Sequence, residues 1–320
     1  MEIKVICERS QSAIVTGILD AEPGVAHVTV AQGISKSPEG GDVIEAVVAR
    51  EVAEDILHQL AAHGVPRRGE VSLQPMHTML SESAAAAERS APGDSSDAVI
   101  WDEVVATTGE ESRLTFVFLA FLTIACLLAT VGVVTDSAVT IVGAMVVSPD
   151  FGPLAALAVA FAGRRRGLAV SAGAALGVGF PLAMLVTAAL TGFARLIGLF
   201  EPNDLNGLQE VAFIYQVGPF SVIVALLAGT AGMIALTSEK SGPLVGVFIS
   251  VTTVPAAGFA VLAAIAGEWH LCGEALLQLL VNVVGVTVAG TLTLLARRRH
   301  IIPSPGTGVH QLRRAPRRRL

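Results

Sequence analysis

The sequence predicts an α-helical membrane protein of six transmembrane helices, preceded by a small α+β domain of ferredoxin-like βαββαβ order. Three observations predict it. Apolar residues make up 52% of the chain and charged ones 15%, against roughly 25% charged in soluble domains, and the mean hydropathy is +0.67. Five stretches, 114–134, 168–190, 217–237, 243–266 and 275–295, carry no charge, and each reaches the about 20 residues that cross hydrocarbon as a helix. Ahead of them, residues 1–80 alternate between strand and helix periodicity.

In that head, EIKVICE reads as a strand and Ser10 as the cap of the helix QSAIVTGILDAE, where Ile14, Ile18 and Leu19 recur at helical spacing. VAHVTVAQGI and VIEAVVAR read as strands around the turn-rich SKSPEGG, EVAEDILHQLAAHG as an amphipathic helix, and EVSLQPM as a last strand. This order predicts an antiparallel sheet with both helices on one face. His27, His58, His63 and His77 show no i, i+4 metal pair beside an acid and read as surface residues. Residues 81–97, SESAAAAERSAPGDSSD, have the small, polar makeup of a flexible linker. Residues 98–113 predict a juxtamembrane amphipathic helix, with Trp101 suited to the headgroup layer, the alternative being a plain helical extension of the first span.

The membrane region, 114–296, needs a sixth crossing, and 137–162 is long enough to supply it. That count puts the head, the arginines at 164–166, SEK at 238–240 and the basic tail 297–320 on one side. Positive residues favour the cytoplasmic side, so the expectation is a multi-pass protein of the cell membrane with both termini cytoplasmic. The first 30 residues lack the pattern of a removable signal peptide. The formal net charge of −6 hides this asymmetry, because acids gather in the first 111 residues and arginines after them.

The sixth crossing contains VVSPDFGP, residues 146–153. Pro149 and Pro153 each remove a backbone donor, and Gly152 permits unusual backbone angles, so the helix is expected to unwind there. Freed backbone groups cannot face lipid and must be buried in protein or line a wet cavity. Asp150 falls near the middle of the crossing, where an acid costs on the order of 2.5 to 3.5 kcal/mol and marks an ion, proton or substrate path. The alternative is a plain kink whose acid is satisfied by neighbouring amides and hydroxyls.

An echo recurs downstream. ATVGVVTDS, 129–137, resembles GTAGMIALTS, 229–238, and VGAMVVSPDFGPLAALAVAFAG, 142–163, parallels VGVFISVTTVPAAGFAVLAAIAG, 245–267, with Pro149 set against Pro255 after small gaps. Three spans per unit makes this a 3+3 inverted repeat with one broken helix in each half, a plan common among secondary transporters. Candidate substrate or ion residues are Ser148, Pro149, Asp150, Gly152 and Pro153 at the first break, and Thr252, Thr253 and Pro255 at the second. Gln278 and Asn282 lie four residues apart on one face of the last span, where Asn282 either supports the open backbone or joins two helices. Gly173 and Gly177 form a GxxxG packing face between helices or subunits, which predicts a homo-oligomer.

Cys7, Cys126 and Cys272 show neither CxxC nor metal-ligand spacing, so no disulfide framework, metal or other cofactor is expected. Phosphate-loop, zinc and nucleophile–base patterns are absent from the sequence, which disfavours an enzyme. Nor is nucleic acid an expected partner.

The blocks LLATVGVVTDSAVTIVGAMVVSPDFGPLAALAVAFA, VALLAGTAGMIALTSEKSGPLVGVFISVTTVPAAG and EALLQLLVNVVGVTVAG resemble the membrane domain of the DUF389 family, over about residues 100–295. The resemblance implies a bacterial or archaeal multi-pass membrane protein and assigns no activity. Pro149, Gly152, Pro153, Pro255 and Asn282 fit the family pattern, whereas Ser148 and Asp150 depart from it, as does the lack of a second proline beside Pro255. The leading expectation is transport or channel-like permeation of an ion or small solute through a midplane site, with Asp150 binding a small cation or proton. The rival is a membrane-anchored small-molecule sensor or scaffold that works through its head.

Overall fold

The computed structural model describes residues 1–76, 79–93, 98–199, 218–238 and 253–301. Two compact units divide the chain, one of Met1–Thr107 with Ile234–Val245 and one of Thr108–Met233 with Gly246–Leu320.

The first unit holds β1 (Glu2–Cys7), α1 (Ser12–Ala21), β2 (Val25–Lys36), β3 (Glu39–Val48), α2 (Arg50–Ala62), the single turn α3 (Val65–Arg68) and β4 (Glu70–Gln74). Its sheet runs β2-β3-β1-β4 with every neighbouring pair antiparallel. Alternation in sequence becomes alternation in space: Ile3, Val5 and Cys7 on β1 and Ile44, Ala46 and Val48 on β3 point into one core with Val15, Leu19, Ile56 and Leu60 from the helices. On α1 the inward residues are Val15 and Leu19, while Ile14 is 42% exposed. Ser10 does not cap this helix; its hydroxyl bonds Glu8, and the N-cap residue Gln11 makes no side-chain cap bond.

Residues 81–93 are not an unstructured linker. They contain α4 (Glu82–Ser90), capped by the Ser81 hydroxyl, which accepts from the Ala84 N–H. His27, at a bulge in β2 with φ 54°, shares its Nε2 with the hydroxyls of Ser81 and Ser83 at 2.6 and 2.7 Å and so ties α4 to the sheet. Beyond it, α5 spans Trp101–Glu111.

The membrane region is built from α6 (Phe116–Val134), α7 (Ala138–Val147), α8 (Phe151–Gly163), α9 (Arg166–Leu196), α10 (Pro219–Thr237), α11 (Val254–Ala266) and α12 (Trp269–Ile301). Among the described residues four helices, α6, α9, α10 and α12, are long and apolar enough to cross a membrane, and α7 with α8 makes a fifth if that pair, bent by 54°, is one span. Six crossings are therefore not reached among the described residues. The shortfall lies at 243–266, where only the 13 residues of α11 are described and 243–252 lie outside the described residues.

Candidate functional site

Helix α7 ends at Val147, and its C-cap Ser148 is extended, with φ −70° and ψ 131°. Pro149 follows, and the next helix begins at the N-cap Asp150. The interruption predicted around VVSPDFGP is thus a break of three residues between two helices. Helix α11 starts the same way, from the N-cap Thr253 with Pro255 in its first turn, where the missing N–H of proline costs nothing.

These two starts meet. Asp150 is fully buried. Its Oδ1 accepts the Ser148 hydroxyl at 2.7 Å, and its Oδ2 accepts the hydroxyl of Thr253 across 103 residues of sequence. The acid is therefore held at the first turns of two helices, whose partial positive ends favour a negative group. Each carboxylate oxygen already has a hydroxyl donor, which offsets part of the cost of burying it.

The same 103-residue interval relates the elements around the site. Phe116–Val134 returns as Pro219–Thr237, Phe151–Gly163 as Val254–Ala266, and the start of α9 at Arg166 as the start of α12 at Trp269. Packing repeats as well: α8 lies against α9 and α12, and α11 lies against α12 and α9. This interval sets Asp150 against Thr253 and Gly152 against Pro255, whereas the echo in sequence sets Pro149 against Pro255 after small gaps.

Glycines set the close approaches. A Cβ at Gly258 on α11 would stand 2.9 Å from Ala129 Cβ and 3.0 Å from the Cys126 carbonyl of α6. Thr130 spans this crossing, its hydroxyl within reach of the Cys126 and Gly258 carbonyls at 2.9 and 3.3 Å. On α10, a Cβ at Gly229 would come within 2.5 Å of the Val286 carbonyl of α12. Gly152 carries a contact that the sequence did not reveal: its Cβ position is 2.6 Å from Glu111 Cβ and 3.1 Å from Glu111 Oε2. Any residue larger than glycine there would displace the end of α5.

Of the other candidates, Pro153 is buried in the first turn of α8. Gln278 and Asn282 are buried on α12, with Gln278 Nε2 donating to Asn282 Oδ1 at 3.4 Å, and Gln278 Oε1 has no partner among the described residues. Helices α11 and α12 form a hairpin closed at Gly267–Glu268, so Asn282, 13 residues into α12, stands level with the start of α11 at equal rise per residue. Thr252 lies outside the described residues. Gly173 and Gly177 are exposed, and a Cβ at either would meet nothing within 4 Å. Among the described residues they meet no other helix, whereas on α9 a Cβ at Gly179 would lie 2.9 Å from Phe118.

A family model described as a domain of unknown function, DUF389, matches residues 145–288. The match runs from the last turn of α7 into α12 and so takes in Ser148, Asp150, Thr253, Gln278 and Asn282. No curated protein and no solved structure matches the chain.

Proposed function

With residues 145–288 matched to DUF389, a family description that assigns no activity, we propose that this membrane protein carries an ion or small solute past the paired starts of α8 and α11. Asp150 binds the proton or small cation. The observation that carries this reading is a fully buried carboxylate bonded at once to the break before α8 and to the N-cap residue of α11. Ionisable groups placed that deep are costly and serve ion, proton or substrate paths in membrane proteins.

The 103-residue recurrence and the reciprocal packing of α8 and α11 support a 3+3 inverted repeat, the architecture in which broken helices converge on a midplane site. Six crossings complete that plan and leave both termini in the cytoplasm of a cell-membrane protein. The strand order of the head, and the single core shared by α1 and α2, support a ferredoxin-like domain. The outward-facing Gly173 and Gly177 suit a contact between subunits of a homo-oligomer.

The test is flux into proteoliposomes across a panel of ions and small metabolites, with Asp150→Asn beside the parent. Loss of flux in a variant that still folds is expected. Equal flux would remove Asp150 from the path.

A second reading keeps the head as a small-molecule sensor. A cavity of about 280 Å³ in the first unit, lined by Val48, Arg50, Met76, Met79, Ala84 and Glu88 among others, favours it. A metabolite that raises the melting temperature of the full-length protein, but not of its Arg50→Ala variant, would support this second reading.

A further inference from the structure

Arg50 is the first residue of α2, and its side chain is only 9% exposed. A guanidinium carries N–H donors and no acceptor, so burial leaves each arm in need of a partner. Its Nε donates to the Ala98 carbonyl at 3.1 Å, and its Nη2 pairs with Glu103 Oε2 at 3.0 Å. Among the described residues Nη1 has the Met1 sulfur, 3.9 Å away. A thioether is a weak acceptor. An oxyanion in its place would gain a charge-assisted bond from a fork that two other contacts already hold in position.

The cavity of the first unit has room for one, and Arg50 and Met1 both line it. Helix α4 and its N-cap supply Ser81, Ala84 and Glu88 to the wall, and the bonds of His27 to Ser81 and Ser83 fix that wall to β2. Val47, Met76 and Met79 add apolar side chains, and unbranched methionines adapt to the shape of a guest. The volume of about 280 Å³ equals roughly nine waters at about 30 Å³ each, so the guest is small. Among the described lining residues Arg50 brings the side-chain cation and Glu88 the side-chain anion. One negative charge on a guest meets Arg50, and a second would meet Glu88 as well.

Resting on the second reading, in which the head senses a small molecule, we propose that this cavity binds a small monocarboxylate with an apolar body. The carboxylate takes the Nη1 donors of Arg50 from the Met1 sulfur, while Nε and Nη2 stay with Ala98 and Glu103. The hydrocarbon lies against Val47, Met76 and Met79. Glu88 disfavours dicarboxylates and doubly charged phosphate, and phosphate has no hydrocarbon to set against the methionines.

Isothermal calorimetry on the purified full-length protein tests this with butanoate, butanamide, succinate and inorganic phosphate as probes. Butanoate should bind more tightly than each of the others by roughly tenfold or more, the scale of a hydrogen bond to a charged group. Arg50→Lys keeps the charge but loses the planar fork, and should weaken butanoate by a similar factor. Glu88→Gln should narrow the gap between succinate and butanoate. In methyl NMR of labelled methionines, butanoate should shift the signals that vanish in Met76→Leu and Met79→Leu, which places the probe in the head even if Arg50→Lys fails to fold. Butanamide binding as tightly as butanoate overturns the proposal, as does tighter binding of succinate or phosphate, or butanoate that moves neither methionine signal. A neutral or cationic metabolite that raises the melting temperature of the parent, but not of Arg50→Ala, would keep the head as a sensor while the carboxylate assignment falls.

Discussion

Gly258 leaves no room for a side chain, because Ala129 and the Cys126 carbonyl already fill the space where a Cβ would stand. Overpacking at such a crossing costs typically 1 to 3 kcal/mol. We expect Gly258→Val to lower the melting temperature in detergent, and Gly143→Val, where a Cβ would meet nothing within 4 Å, to leave it unchanged. In the head, Asp42 accepts the Gly33 N–H at 2.8 Å, which, with the Ser12 hydroxyl, holds its carboxyl below the usual range. A folded pKa set below the unfolded one contributes stability at neutral pH that is lost as pH falls through the folded value. Hydrogen-exchange protection of β2 and β3 in the full-length protein, corrected for intrinsic rate, should therefore drop on acidification below about pH 4. Asp42→Asn should flatten that dependence. If the two proteins lose protection in parallel, the Asp42 charge is not its source. Neither glycine nor aspartate announces such a contact in sequence: Gly258 is one of 32 glycines, and what singles it out is the neighbour that folding brings to it.

Among the elements, breaks were more legible than partners. The proline and glycine content of 146–153 was enough to place the interruption before α8, since local backbone chemistry decides it. The partner of Asp150 was not legible, because the echo was aligned by proline and the helices are aligned by their ends. Nor was α4 legible. The run SESAAAAER was read for its small polar residues, although alanine is the best helix former and Ser81 is a strong N-cap. The 103-residue correspondence gives a direct test at this scale. If the starts of α8 and α11 are equivalent, the double exchange Asp150→Thr with Thr253→Asp should recover flux that either single change abolishes. A double exchange as inactive as the singles, though folded, would show that the two positions are not interchangeable.

For the molecule as a whole, charge distribution carries the orientation. Arginines at 164–166 and in the C-terminal tail, with the head, fall on one side once six crossings are counted. Reporter fusions at the N-terminus, after Arg166 and at the C-terminus should all read cytoplasmic, and a fusion in 200–216 should read external. An external signal from the Arg166 fusion would make α7 and α8 re-entrant. The class of protein was plain from composition, since hydrocarbon selects for long uncharged helices whatever their arrangement. What the spans surround was not, because it depends on which helix ends face each other.

The bond between Asp150 and Thr253 joins the starts of two helices through unlike groups. Only the α8 side of that bond carries a carboxyl, so when Asp150 is charged a voltage across the bilayer pulls on α7 and α8 and finds no such handle on α11. A full unit of charge displaced across 100 mV is worth about 2.3 kcal/mol, and that force is applied on one side of the bond. A membrane potential would thus bias the two helix starts unequally, and under the proposed inverted repeat that inequality would set a preferred sense of motion.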